Sequence, residues 1–398
     1  MKYNFDEHIE RRGTGCVKWD DCVPHSDLQV REMPSSDVIP LWVADMDFAV
    51  APAIQEAIKR RADHPVFGYT YVQDDYYESV ISWFKRRHQW DIQREWILYT
   101  TGVVPAMSGA IKALTISGEK VLIFSPDYNC FFSSIKNNGC EVAECVLRFC
   151  RSNNRFEVDW QDFEAHCADE KNTVFLLCNP HNPTGRVWTR EELERMRDIC
   201  HQHQVRIVSD EIHCELIMPG NTFCPMGTVD PDAIILNSPS KSFNIAGLMM
   251  ANIICQDAAT RRRINRAINI NEVCDVNPFA PVAVKAAYNE SEDWIDALNQ
   301  YLWGNYIVLC DFVAQHLPQW KVMPLEGTYL VWVDVSTACS INGDSVAVYC
   351  DRLFREAKVW LNPGTMYGPE SGEGYLRINI ACPRSLLMEA LERIKNVI

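Results

Sequence analysis

No run of apolar residues in this chain approaches the ~20 that a membrane-spanning helix requires. The opening Met-Lys-Tyr-Asn-Phe-Asp-Glu-His carries charge where a secretory leader would place its apolar stretch. Neither G-x-G-x-x-G nor G-x-x-x-x-G-K-[ST] occurs, so the common glycine-rich cradles for dinucleotides and nucleoside triphosphates are absent. Basic residues are outnumbered: 38 Lys and Arg against 53 Asp and Glu give a net charge of −15, which sets the chain as a whole against phosphate backbones and anionic lipid. Cysteine is plentiful at 17, yet there is no C-x-x-C pair and no zinc-type Cys/His spacing. Scattered thiols, odd in number and with Cys145, Cys178 and Cys255 inside apolar runs, fit small buried hydrophobes in a reducing compartment better than disulfides. His201 and His203, two apart in a helical pattern, point to different faces and make no metal-ligand pair. These absences predict a cytoplasmic protein with no metal site and no nucleic-acid or membrane partner.

Of the 398 residues, 47% are hydrophobic and 23% charged, enough to bury a core that stands without disulfides or a structural metal. From about residue 96 to 255, short apolar runs (Trp96–Thr101, Val121–Ser125, Thr173–Cys178, Arg206–Ser209, Ala233–Leu236 and Met250–Cys255) alternate with helical patterns. That alternation predicts βα units around a mostly parallel sheet; a strand apolar at nearly every position is covered on both faces. Thr189 followed by Glu192 predicts a capped crossover helix burying Leu193, Met196 and Cys200. Beyond about residue 278 come a long helical stretch, Val282–Leu317, strand-like Thr328–Val335, a helix over Ser345–Lys358, strand-like Tyr375–Ile380 and a last helix from Arg384. The expected organisation is α/β, with an N-terminal segment (1–50) packing on the smaller part, a large domain (51–285) and a smaller α+β domain (286–398).

Four strand ends carry candidate chemistry. Thr100-Thr101-Gly102-Val103-Val104 closes a strand and opens a helix, where free N–H groups and the helix dipole favour an anion. Asn179-Pro180-His181-Asn182-Pro183-Thr184-Gly185 presents amide side chains on an irregular loop. Ser209-Asp210-Glu211-Ile212-His213 sets a carboxylate at a strand end and a histidine just beyond it. Asn237-Ser238-Pro239-Ser240-Lys241-Ser242 places a lysine among hydroxyls directly after an apolar strand, at the sheet edge where α/β enzymes locate their sites. Alone, each has an ordinary reading as a turn, a helix cap or a surface lysine. In order, with Asn182, Asp210 and Lys241 spaced 28 and 31 residues apart, they are the set that pyridoxal 5′-phosphate requires. The lysine binds its aldehyde, the carboxylate keeps its pyridine nitrogen protonated and the helix start takes its phosphate.

The same order and spacing resemble the fold-type I aminotransferases. With Pro40-Leu41-Trp42-Val43-Ala44-Asp45-Met46-Asp47-Phe48, Phe67-Gly68-Tyr69, Ser125-Pro126-Asp127-Tyr128, Trp360-Leu361-Asn362-Pro363-Gly364-Thr365 and Tyr375-Leu376-Arg377-Ile378-Asn379, the chain resembles the MalY/PatB-type cystathionine β-lyases over nearly all its length. These form a branch of the class I/II aminotransferase superfamily. The resemblance implies a fold-type I enzyme with a large, mostly parallel domain and a smaller α+β domain. It also implies that Lys241 carries the cofactor and removes the Cα proton, that Asp210 pairs with the ring nitrogen, and that Asn182 bonds the phenolic oxygen. Tyr128 stacks on the ring; Gly102, Val103 and Val104 give backbone donors, and Ser238 and Ser240 hydroxyl donors, to the phosphate. His213 stands where many relatives have a tyrosine, and its alternative is a structural histidine. Tyr69 resembles the tyrosine that reaches the phosphate from a neighbouring subunit, which makes the expected active unit a homodimer. Arg377 takes the substrate carboxylate, a task suited to a planar guanidinium. Eight residues after the lysine, many aminotransferases have a phosphate-binding arginine, and this chain has Met249.

The implied reaction is α,β-elimination from cystathionine or another cysteine S-conjugate, giving a thiol, pyruvate and ammonia. An aminotransferase shares the early steps, and residue types alone do not separate the two. A third reading is a regulatory pyridoxal-phosphate-binding protein, since a MalY-type member also represses a transcription activator. No DNA-binding motif is appended here, and surface regulation would not need an intact catalytic set.

Overall fold

The computed structural model describes residues 2–20, 37–271 and 275–398. Its main sheet contains β1 (Ile97–Thr100), β2 (Lys120–Ser125), β3 (Glu141–Val146), β4 (Asn172–Cys178), β5 (Arg206–Asp210), β6 (Ile234–Asn237) and β7 (Ala251–Ile254), in the order β1-β7-β6-β5-β4-β2-β3. Strands β2 to β6 pair in parallel, whereas β7 runs antiparallel to both neighbours. Strand periodicity divides the buried side chains between two cores. Val121, Ile123, Val174, Leu176, Val208 and Ile234 face one, and Leu122, Phe124, Phe175, Leu177, Ile207 and Ile235 face the other. Burial of each such side chain stabilises the fold by about 1.5–3 kcal/mol.

The first core is closed by α1 (Val103–Leu114) and a later helix, Ala258–Ile268. They approach so closely at Gly109 that a Cβ there would stand 2.4 Å from Ile268 Cγ2, which requires glycine at that position. Helix α2 (Arg190–Gln202) crosses from β4 to β5. The Thr189 hydroxyl accepts the Glu192 N–H and the Glu192 carboxylate accepts the Thr189 N–H, as expected, while Leu193, Met196, Ile199 and Cys200 are buried.

Two elements depart from the sequence expectation. Strand β3, at the sheet edge, has only alternate residues buried, so it lacks the continuous apolar run that marks its neighbours. The stretch read as one helix over Val282–Leu317 is two, α3 (Ala280–Glu290) and α4 (Glu292–His316). They part at Ser291, whose hydroxyl donates to the Ala286 carbonyl at 3.0 Å, so the local bond competes with helix continuation.

A second sheet follows, antiparallel throughout: β8 (Lys321–Val322), β9 (Leu330–Asp334), β10 (Asn362–Pro363) and β11 (Tyr375–Asn379), in the order β8-β9-β11-β10. Early residues lie against this part. Phe5 packs on Trp294 and Tyr301 of α4, Ile39–Pro40 pairs with Val359–Trp360, and Trp42 stacks on Trp360 with ring centroids 4.3 Å apart. Arg11, Lys18, Asp45 and Asp47 form a partly buried ion-pair network, with Lys18 Nζ 2.7 Å from Asp47 Oδ2. Of the segment expected over 1–50, residues 21–36 lie outside the described residues. Among the described residues, no helix is long and apolar enough to cross a membrane.

Candidate active site

The carboxyl ends of β4, β5 and β6 meet the amino end of α1 around a cavity of about 240 Å³. Gly102, Val103, Val104, Tyr128, Asn182, Asp210, His213, Ser240 and Lys241 line it together, although they come from five separate stretches of the chain. The sheet topology explains this, because parallel strands deliver their following loops to one edge.

Lys241 sits in the turn after β6, and its Nζ donates to the Ala44 carbonyl at 2.7 Å, an oxygen that also accepts the Tyr329 hydroxyl at 2.9 Å. Burial pulls the Lys241 amine below its ordinary pKa and Arg377 adds to this, while Asp45 opposes it. The lysine is therefore biased toward the neutral, nucleophilic amine. Asp210 ends β5, accepts the Ile212 N–H at 3.1 Å and is 3% exposed. Burial pushes its carboxyl up to about 7, the nearby Asp127 adds to the rise, and the Ile212 N–H and Lys241 hold it down. A cation placed beside it would restore the carboxylate. His213 is held at about 3 by burial and by the charges of Lys241 and Arg377, so its ring is neutral, and its Nδ1 has no hydrogen-bond partner among the described residues.

No side chain caps α1, and its first amides open toward the cavity. A Cβ on Gly102 would meet only the Pro105 ring, at an ordinary 3.4 Å, and the residue is extended at φ 164°. The protein's own packing thus does not demand glycine at Gly102, which leaves open space at the helix start. A buried lysine of lowered pKa, a buried carboxyl, an uncapped helix start and an unpartnered imidazole nitrogen fit the donor set that pyridoxal phosphate requires.

Three residues singled out from sequence stand elsewhere. Arg377, on β11, is 4% exposed, and it reaches the cavity through Asn182, with Nη1 3.3 Å from Asn182 Oδ1 and Nη2 donating to the Trp42 carbonyl at 2.9 Å. The guanidinium lies 4.5 Å over the Tyr367 ring, and its Nε has no partner among the described residues. Ser238 is not among the residues lining the cavity. Its Oγ donates to the Met250 carbonyl at 2.6 Å and accepts the Ser240 N–H at 3.1 Å, which ties the turn to the approach of β7. Tyr69 is fully exposed and does not reach the cavity of its own chain.

Sequence reasoning assigned no site role to Ala44, Cys178, Ile212 or Met250, all of which line the cavity. Ala44 acts through a backbone carbonyl, for which residue type carries no signal; its place in the Trp42–Phe48 motif was the available hint. Two groups of possible metal ligands lie away from this cavity among the described residues: His88, Cys214 and Glu215, and His201, Asp230 and Asp232. In the first, Glu215 Oε1 is already bonded by Trp83 and His88.

Residues 36–394 match the family model of aminotransferase class I and II, and the chain belongs to that family. Within it, the chain is 37% identical to cystathionine β-lyase PatB of Bacillus subtilis, over 98% of its length and 99% of that protein's. It is 33% identical to protein MalY of Escherichia coli, over 100% of its length and 99% of that protein's. Cystalysin from Treponema denticola, whose structure contains pyridoxal 5′-phosphate, superimposes with a TM-score of 0.92 at 34% identity, covering 100% of this chain and 99% of that one. The pyridoxal-phosphate-bound C–S lyase from Staphylococcus hominis gives 0.89 at 32% identity, covering 99% and 98%.

Proposed function

We propose that this chain is a pyridoxal-phosphate-dependent carbon–sulfur β-lyase that eliminates the thiol from L-cystathionine or other cysteine S-conjugates, leaving pyruvate and ammonia. The observation that carries the reading is the convergence of Lys241, Asp210 and the uncapped start of α1 on one cavity, in a chain alike end to end to named β-lyases. Bound pyridoxal phosphate supplies an electron sink for the charge left at Cα when its proton is removed.

The chain's residues supply the rest. Lys241 would hold the cofactor's aldehyde through Nζ and would be the group that accepts the substrate's Cα proton, a role served by its lowered pKa. Asp210 would keep the ring nitrogen protonated, and Asn182 would hold the phenolic oxygen. The amides of Val103 and Val104, the backbone of Gly102 and the Ser240 hydroxyl would hold the phosphate, and Tyr128 would pack against the cofactor. His213, neutral and lining the cavity, is a hydrogen-bonding group toward the cofactor or substrate. Arg377 exchanges its hold on the Trp42 carbonyl for the substrate carboxylate. The Cβ–S bond breaks with its electron pair leaving on sulfur, and the released 2-aminoacrylate hydrolyses to pyruvate and ammonia.

The active unit is a homodimer in which Tyr69 reaches the partner's phosphate site; the full exposure of Tyr69 supports this arrangement. We take the second sheet and its helices as the smaller domain, which presents Arg377 to the large one. The fifteen described cysteines are all free, which supports a cytoplasmic setting. Transamination is the second reading, favoured by the family model itself and by the likeness to a pyridoxal-phosphate-bound putative aminotransferase from Clostridium difficile, at 38% identity and a TM-score of 0.92. Incubation of the purified protein with L-cystathionine, with and without an added 2-oxo acid, separates the two. Pyruvate and free thiol without the acceptor support the lyase; turnover only with the acceptor overturns it.

A further inference from the structure

Behind the cavity wall, two buried side chains face each other without completing a bond. Asp127 Oδ2 and His181 Nε2 stand 3.8 Å apart, both side chains are 0% exposed, and neither atom has a hydrogen-bond partner among the described residues. Their other polar atoms are engaged. Asp127 Oδ1 accepts the Tyr128 N–H at 2.7 Å, and His181 Nδ1 stands 2.7 Å from Thr184 Oγ1. The backbones are held as well, with the Asp127 N–H donating to the Tyr367 carbonyl at 2.7 Å and the His181 N–H to the Arg186 carbonyl at 2.8 Å. Each residue immediately precedes one that lines the cavity: Asp127 precedes Tyr128, and His181 precedes Asn182.

A buried carboxylate or imidazolium without a counter-charge is costly, and so is a buried polar atom without a partner. One arrangement removes both costs. Asp127, protonated, donates Oδ2–H to neutral His181 Nε2, and His181 Nδ1–H donates to the Thr184 hydroxyl; a small side-chain rotation closes the gap. The surroundings agree, since burial drives the Asp127 carboxyl well above its ordinary range and, with Arg186, holds His181 at about 3. The other titratable groups that sense Asp127 are Asp210 and Cys178, at the ends of β5 and β4. A charge on Asp127 would compete with Asp210 for the role of carboxylate facing the ring.

We propose that Asp127 and His181 are a charge-neutral, proton-sharing positioning pair that locks the Tyr128 and Asn182 loops together against the cofactor. The proposal rests on the cofactor-site reading given above and concerns residues that do not themselves touch the cofactor.

The test measures the pyridoxal phosphate affinity of the reconstituted protein and the pH midpoint of the bound cofactor's visible absorption. Asp127→Asn keeps an acceptor for the Tyr128 N–H and gives His181 Nε2 a neutral donor, so its affinity stays within ~2-fold of wild type and its midpoint does not move, because no charge is removed. Asp127→Leu and His181→Leu each weaken cofactor binding ~10-fold, and the double variant also loses ~10-fold rather than ~100-fold, because the two side chains act as one unit. A multiplicative loss in the double variant overturns the proposal. So does an Asp127→Asn variant as impaired as Asp127→Leu, or one whose midpoint falls by ~1 unit, since such a fall would mean that an anion had been removed. If wild-type protein takes up no pyridoxal phosphate, the cofactor-site reading fails, and the pair's proposed role fails with it.

Discussion

Arg377 Nη1 and Asn182 Oδ1 stand 3.3 Å apart, joining the second sheet to a loop of the first across 195 residues of chain. The contact sets the guanidinium beside the cavity, with Nη2 donating to the Trp42 carbonyl at 2.9 Å and Nε without a partner among the described residues. On the proposed reading, an incoming carboxylate meets a charged fork already oriented by the fold, which lowers the ordering cost of binding.

Replacing that fork by a point charge tests its role. Arg377→Lys keeps the charge and loses the paired geometry, so KM for the amino-acid substrate rises ~10-fold or more with a smaller change in kcat. Steady-state kinetics on L-cystathionine check this. An unchanged KM would place carboxylate recognition elsewhere.

Asp210 links cofactor binding to pH. In the cofactor-free protein its carboxyl is raised from an ordinary 3.8 to about 7. The folded chain therefore holds more protons than the unfolded one between those values, and this group's contribution to stability falls as pH rises from about 4 to about 7. Asp210→Asn removes the effect: relative to wild type, the cofactor-free variant gains stability across that window, on the order of a few kcal/mol. Thermal melts of both proteins at pH 5 and pH 8 read it directly. In the loaded enzyme the same substitution lowers kcat ~100-fold or more, because an amide cannot hold the ring nitrogen protonated. A loaded variant of normal kcat would remove Asp210 from the mechanism.

The proposed shared site yields a complementation test. Lys241→Ala chains have no anchoring amine, and Tyr69→Ala chains offer nothing to their partner's phosphate site. When the two inactive proteins are mixed and allowed to exchange subunits, each hybrid dimer contains one site with both residues intact, so activity returns to ~25% of wild type at equal mixing. No recovery, with hybrid formation verified by mass, would mean that Tyr69 does not act across the interface.

Much of the fold and site was legible because parallel strands advertise themselves. Each central strand of the main sheet is apolar at nearly every position, and the residues following β4, β5 and β6 are those that line the cavity. Edge strand β3 was hidden because half of it faces solvent, and the break at Ser291 because a single hydroxyl decides it within an otherwise helical pattern. The reversed direction of β7 left no trace, since a strand covered on both faces has the same composition either way. In the site, side chains that act by their chemistry (Lys241, Asp210) were readable. Contributions made through backbone were not, such as the Ala44 carbonyl beneath Lys241, nor was the rotamer that turns Ser238 to Met250.

The most direct test of a β-lyase is the number of product molecules formed per active site when no 2-oxo acid is present. The account predicts pyruvate and thiol in equal amounts from L-cystathionine, continuing for many turnovers until the substrate is exhausted, and none from Lys241→Ala. Product that stops at one equivalent per site, with the cofactor left in its amine form, would contradict it and identify a transaminase.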